Sequence, residues 1–283
     1  MKSSRVILLT TFAMIAFASN SLLNRLALGQ NTIDPTSYTT IRLASGAGML
    51  FMIASIQRKN GETVLRGSWI SAAFLFIYAI TFSFAYLSLS TGTGALILFG
   101  SVQVTMIVVA LRSGERPRLM EWLGLILALG GLVYLVFPGL TAPSPLGSAL
   151  MTVAGIAWGF YTIRGRGSQN PLGDTAGNFV YAVPMVGFVL LFSLKNVSIS
   201  PHGILYASLS GALASGVGYV IWYAALRGLT TTRAATVQLS VPVIAAWSGV
   251  AFLAEDISTR LVIAGILILG GIALALSSRA KKV

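Results

Sequence analysis

The chain has 283 residues, of which 55% are hydrophobic and 9% charged, and its net charge is +12. Soluble domains carry about a quarter charged residues, so a chain this poor in charge cannot cover a water-facing surface and belongs in lipid. The absence of cysteine excludes disulfides and thiolate chemistry, and the single histidine, His202, cannot make a metal site alone.

A membrane-spanning helix needs about 20 mostly apolar residues. Ten stretches meet that length, at 6–28, 38–57, 69–89, 91–111, 119–138, 146–164, 175–194, 204–226, 232–253 and 259–278. The first begins like a signal peptide, with Lys2 and Arg5 ahead of an apolar run to Ala18-Ser19. Its apolar pattern continues to Leu28, so it is read as a first span. Short connections carry turn or cap residues, among them Asn31-Thr-Ile-Asp-Pro35, Thr141-Ala-Pro-Ser-Pro145 and Asn170-Pro171. The runs are far longer than the roughly 10 residues of a membrane strand and do not alternate strictly. An all-α polytopic membrane protein is expected, with no separate soluble domain.

The second half repeats the first. Gly124-Leu-Ile-Leu-Ala-Leu-Gly-Gly-Leu reads against Ala264-Gly-Ile-Leu-Ile-Leu-Gly-Gly-Ile at an offset of 140, where Ala95 also meets Ala235 and Glu115 meets Glu255. Ile15-Ala-Phe17 reads against Ile156-Ala-Trp158 at 141, and Tyr86 and Leu89 against Tyr223 and Leu226 at 137. The expected division is 1–141 and 142–283, five spans each. An odd number of spans per repeat inverts the second repeat relative to the first, an arrangement typical of transporters.

Basic residues test the orientation. With the N-terminus inside, 15 of the 19 fall on the inner side, and only Arg25, Lys195 and Arg260 fall outside. Arg42 completes the sum, about a turn from the outer end of the second span. This asymmetry places both termini in the cytoplasm and accounts for the net charge without nucleic acid. The seven carboxylates all fall in loops or at span ends, and none is expected near the bilayer midplane. That argues against coupling through a buried acid. Glu115 and Glu255 read as helix caps that pair with loop arginines. No phosphate-binding loop or nucleophilic triad is present, so neither enzyme chemistry nor a cofactor or metal is expected.

The chain resembles the drug/metabolite transporter superfamily and its EamA-like bacterial permeases. The residues that carry the likeness are Ile156-Ala-Trp-Gly-Phe-Tyr-Thr-Ile-Arg164, Leu239-Ser-Val-Pro-Val243 followed by Leu253-Ala-Glu255, and the Gly-Gly pair near the end of each repeat. Within that group it looks most like the YddG-type exporters of aromatic and neutral amino acids. The resemblance implies an inner-membrane exporter of small metabolites. The first repeat departs from the pattern, with Phe17 in place of Trp158 and Val102 in place of Pro242.

Six residues are expected to line a substrate cavity: Asn20, Tyr78, Phe82, Phe99, Trp158 and Gln238. Phe74, Tyr78, Phe82 and Tyr86 recur every four residues along one stripe of the third span. A phenol at mid-membrane wants a hydrogen-bond partner, so Tyr78 and Phe82 read either as helix packing or as a wall for stacking. Phe99 and Gln103 lie four apart on the fourth span, as Gln238 and Pro242 do on the ninth. The proline frees a carbonyl near 238, giving either a kink or a convergence of amide, hydroxyl and carbonyl. Trp158 follows Gly155 in a small-xxx-small step, and Asn20 suits either a zwitterion or an interhelical hydrogen bond. Tyr219, Trp222 and Tyr223 read as an interfacial belt at the inner end of the eighth span.

With no inward lysine or arginine expected at midplane, the lining favours neutral or zwitterionic solutes, amino acids included. The expected partners are that solute and the bilayer, and a monomer is the expected working unit. Export of other metabolites or drugs, and a non-transporting scaffold, are the alternatives.

Overall fold

The computed structural model describes residues 3–28, 32–57, 65–89, 91–136, 144–253 and 259–277. Its helices are α1 (Ser3–Leu28), α2 (Pro35–Ile56), α3 (Trp69–Ala85), α4 (Thr91–Arg112), α5 (Leu119–Val136), α6 (Pro145–Gly165), α7 (Pro171–Ser193), α8 (Pro201–Leu209), α9 (Gly218–Leu226), α10 (Thr231–Gln238), α11 (Ser240–Leu253) and α12 (Thr259–Ser277). Five helical rods among the described residues have the length and apolarity to cross a membrane, and four further apolar helices are shorter. Large hydrophobic side chains cover the outside, among them Ile56, Phe188, Phe192 and Ile266. An exterior of this kind is solvated by lipid chains, not by water.

Four helices start by the same device. Asp34-Pro35, Ser144-Pro145, Asn170-Pro171 and Ser200-Pro201 each place an acceptor at the cap and proline in the first turn. The cap side chain takes a backbone N–H of the first turn, and the proline lacks an N–H that would otherwise go unbonded. These helices therefore begin a few residues ahead of the apolar runs that mark them in the sequence.

Two helices depart from regular winding. Between α8 and α9 the chain forms a π-helix, Ser210–Val217, so that Pro201–Leu226 is one continuous 26-residue rod. The expected ninth span is two helices, interrupted at Leu239. Pro242 lacks the N–H that would bond the residue 238 carbonyl, and Ser240 Oγ donates to the Val237 carbonyl at 2.8 Å.

Repeat-related helices meet head to tail. Gly124 of α5 faces the backbone of Gly271 and Ala275 of α12, while Gly271 faces Gly124 and Ala128, and Gly131 faces Ile268. Positions that rise along α5 meet positions that fall along α12, so the two helices run antiparallel. In α2 and α7, Thr36 contacts Ser193 and Gly46 contacts Phe179, again antiparallel. A Cβ at any of these glycines would strike the partner helix, which is why the small residues sit there.

The bundle has two ends. At the first, Ile33 and Ile199 form an isolated bridge, and the Asp34 N–H donates to the Ser198 carbonyl at 2.9 Å. At the second lie the loop between α4 and α5 and the start of α10. Gly114 takes a positive φ of 81° there, which ends α4 and lets the Glu115 N–H reach the Ala110 carbonyl at 2.9 Å.

Candidate functional site

The middle of the bundle holds a buried group of aromatic rings with a cation on one side. Arg42 lies on α2, about 10 Å along the helix axis from Pro35, and is 2% exposed. The sequence placed it one turn from the end of its span and outside the site. Because α2 starts at Pro35, Arg42 is two turns in, and its side chain points into the core. A basic side chain thus points into the core, where none was expected.

Neutral groups hold the guanidinium. Nε donates to Ser215 Oγ at 3.1 Å, and Nη2 donates to Tyr219 Oη at 3.0 Å and to Tyr78 Oη at 3.5 Å. The cation also lies 5.5 Å from the centre of the Tyr78 ring, close enough for a cation–π attraction. The π-helix brings Ser210 and Ser215, five residues apart, toward the same partners. Ser210 Oγ donates to Asn20 Oδ1, and Asn20 Nδ2 donates to Ser215 Oγ at 3.4 Å. Gly211 lies against the Arg42 carbonyl, where any larger residue would force α2 away.

Trp158 is the hub of the rings. Its ring centre is 5.0 Å from that of Tyr78, 4.8 Å from Tyr219 and 5.4 Å from Phe17. Phe82 continues the wall 5.5 Å from Tyr78. On the far side the Trp158 indole N–H donates to Gln238 Oε1 at 2.8 Å, and Gln238 Nε2 reaches the Ala234 carbonyl and Met106 Sδ, each at 3.3 Å.

Of the six expected lining residues, Asn20, Tyr78, Phe82, Trp158 and Gln238 thus form one connected chain through Ser215 and Arg42. Phe99 is buried in the same core, with no ring contact to these side chains among the described residues. Asn20 makes the interhelical hydrogen bonds that were one of its two readings. Tyr219, Trp222 and Tyr223 do not form an interfacial belt. All three are buried, Tyr219 and Trp222 against Phe17 of α1 and Tyr223 against Tyr161 of α6.

The charged residues at the second end behave as capping and pairing groups. Glu115 accepts from the Thr231 N–H at 3.1 Å and Oγ1 at 2.8 Å, and pairs with Arg166 at 3.0 Å. It therefore caps α10 from the α4–α5 loop. Partial burial pushes its carboxyl up, but the Thr231 and Arg166 contacts outweigh this and hold it below the ordinary carboxylate range. Glu121 pairs with Arg233 at 3.0 Å. The matching Glu255 lies outside the described residues.

The EamA-like transporter family model matches residues 4–137 and again 145–277. An uncharacterized protein of Pseudomonas aeruginosa is 50% identical over 279 residues, covering 99% of this chain and 97% of that one. The threonine/homoserine exporter RhtA of Salmonella typhimurium is 31% identical over 160 residues, covering 54% of this chain and 52% of its own. The uncharacterized transporter YwfM of Bacillus subtilis is 24% identical and covers 82% of this chain and 81% of its own. A solved crystal structure superposes with a TM-score of 0.80 at 20% identity, covering 98% of this chain and 99% of that one, a likeness that shows the fold. The chain belongs to the EamA-like transporter family, and its all-helical, lipid-faced bundle is that of a multi-pass membrane protein.

Proposed function

We propose that this protein exports small neutral or zwitterionic metabolites, amino acids including aromatic ones, across the bacterial inner membrane by alternating access. Ten helical passes make two inverted repeats, 1–141 and 142–283, with both termini cytoplasmic. The observation that carries this reading is the buried chain of Asn20, Tyr78, Trp158 and Gln238 between the two halves. Amides and aromatic faces at the junction of inverted repeats are what a solute site at mid-membrane requires. The antiparallel α2–α7 and α5–α12 contacts support the inversion, and the exporter RhtA supports the substrate class.

Purified protein reconstituted in liposomes is expected to exchange radiolabelled L-threonine and L-phenylalanine faster than empty vesicles. No exchange of any aliphatic or aromatic amino acid would remove the substrate class. A scaffold without transport is separated by accessibility. The native chain has no cysteine, so a cysteine placed at 78 or 238 reports on water entry. Complete protection from a membrane-impermeant thiol reagent in every condition would favour the scaffold.

A further inference from the structure

We propose that the Arg42 guanidinium is the anchor for a carboxylate on the transported solute, and that a solute needs the carboxylate but not an amine. The inference rests on the preceding reading that the buried cluster is a solute site, and it names the group recognised there.

An arginine does not lose its proton inside a protein, so burial leaves a full positive charge in an apolar bundle. A buried charge without a counter-ion is strongly unfavourable. Among the described residues no carboxylate pairs with Arg42. Asp34 is two helical turns away and accepts from the backbone of Thr36, Ser37 and Ser198. Asp174 accepts from Ser168, while Glu115 and Glu121 are paired with arginines at the second end.

Nε and Nη2 are held by Ser215, Tyr219 and Tyr78. Nη1 makes no hydrogen bond to the described residues. The long contact to Tyr78, at 3.5 Å, is one that a better acceptor displaces. The Nη1–Nη2 edge is therefore the edge to which a carboxylate binds through two parallel hydrogen bonds. Hydroxyls fix the plane of the guanidinium without neutralising it. A recognition group is built in this way, whereas a structural ion pair would carry its acid with it.

The surroundings define the rest of the ligand. Tyr78 and Tyr219, which touch Arg42, are also the rings nearest Trp158. A solute anchored at Arg42 lays its apolar body along this wall. For an ammonium group the described residues offer no acid. The Asn20 carbonyl oxygen already accepts from Ser210. Among the described residues the site has a fixed cation and no fixed anion, so the amine of an amino acid adds little.

The test is a ligand series on the detergent-purified full chain, read by thermal unfolding and by tryptophan fluorescence at matched ionic strength. The probes are L-phenylalanine, 3-phenylpropionate, L-phenylalaninamide and phenethylamine, with sodium chloride and inorganic phosphate as anion controls. The two carboxylates are expected to bind alike, within about threefold, and the amide and amine at least about 30-fold more weakly. Arg42→Gln is expected to erase the difference, while Arg42→Lys keeps part of it. Ser215→Ala keeps the charge and frees Nε, so it should preserve carboxylate selectivity at a several-fold lower affinity, and it serves if Arg42→Gln does not fold.

The proposal is overturned if the amide binds as well as the acid, if no carboxylate binds, or if chloride or phosphate matches the carboxylates. Amino-acid exchange in liposomes run in parallel separates the two readings. Exchange without carboxylate selectivity sinks this inference and leaves the transport function. Selective carboxylate binding without exchange does the reverse.

Discussion

The two halves use corresponding positions for different chemistry. α2 and α7 both open on an acceptor and a proline, Asp34-Pro35 and Asn170-Pro171, and eight residues past each cap stand Arg42 and Asn178. Each reaches across to the other half. Arg42 donates to Ser215 and Tyr219, and Asn178 Oδ1 accepts from the Ser68 N–H at 2.8 Å. The staple is thus reciprocal in position, but only one arm carries charge. Phe17 and Trp158 repeat the lesson. They are sequence-equivalent and touch each other, yet only Trp158 has an N–H to give to Gln238. Corresponding helices of the two halves pair in the frame of this protein, and the positions at which the halves differ give its centre polarity.

The comparison is tested most severely where the frame is symmetric. Gly124→Val and Gly271→Val push branched side chains into each other's backbone and should each cost about 3 kcal/mol or more. Equal losses in SDS-induced unfolding are expected, because the contacts of the two glycines correspond atom for atom. A gap above about 1 kcal/mol between them would break the local two-fold.

Where symmetry fails, the effects should be smaller and one-sided. Gln238→Leu installs the residue found at the related position Leu98 and leaves the buried Trp158 N–H without its acceptor. A loss of about 1–2 kcal/mol is expected in the same assay. An unchanged midpoint would mean that the Trp158–Gln238 bond is not a structural asset. Asn178→Ala removes the uncharged arm of the staple and should cost about 1 kcal/mol while leaving the carboxylate preference intact. A change in ligand selectivity in that variant would show that both arms share the recognition role.

The smallest effect concerns pH. The Glu115 carboxyl is held below its ordinary value in the folded protein. Its contribution is therefore present above the unfolded carboxylate value of about 4.3 and is lost as pH falls through the folded one. Wild type should lose more thermal stability between pH 6 and pH 3 than Glu115→Gln, by about a few tenths of a kcal/mol for a pair this exposed. Parallel curves for the two proteins would remove Glu115 as a contributor.

Much of the frame could be read from the residues. Runs of apolar side chains marked the helices, and one glycine of each repeated Gly-Gly pair, Gly131 and Gly271, lies where α5 and α12 approach. Glu115 was legible as a cap because an acid beside a helix start has few other uses. The π-helix was not legible, since nothing in Ser210-Gly-Ala-Leu-Ala-Ser-Gly-Val217 separates it from ordinary α-helix. Tyr219 and Trp222 read as residues at a membrane surface because they lie near the end of their span, and their burial depends on how α9 docks against α1 and α6. Arg42 was visible as a charge inside an apolar run, the strongest functional signal such a chain offers. A helix start at Tyr38 puts it one turn from the surface, whereas the start at Pro35 puts it two turns in. Gln238 and Trp158 could be proposed one by one, but their bond spans 80 residues and depends on how the two halves dock.

The wound-out segment Ser210–Val217 makes the centre of this protein sensitive to chain length as well as to side-chain identity. Each residue of an α-helix turns the chain by about 100°. Deleting one residue from the segment would swing everything after it round the rod, and Tyr219 would leave Arg42 with no side chain altered. A relative that gained or lost a residue at this point would turn a different ring toward the cation, a route to a new solute preference through chain length alone.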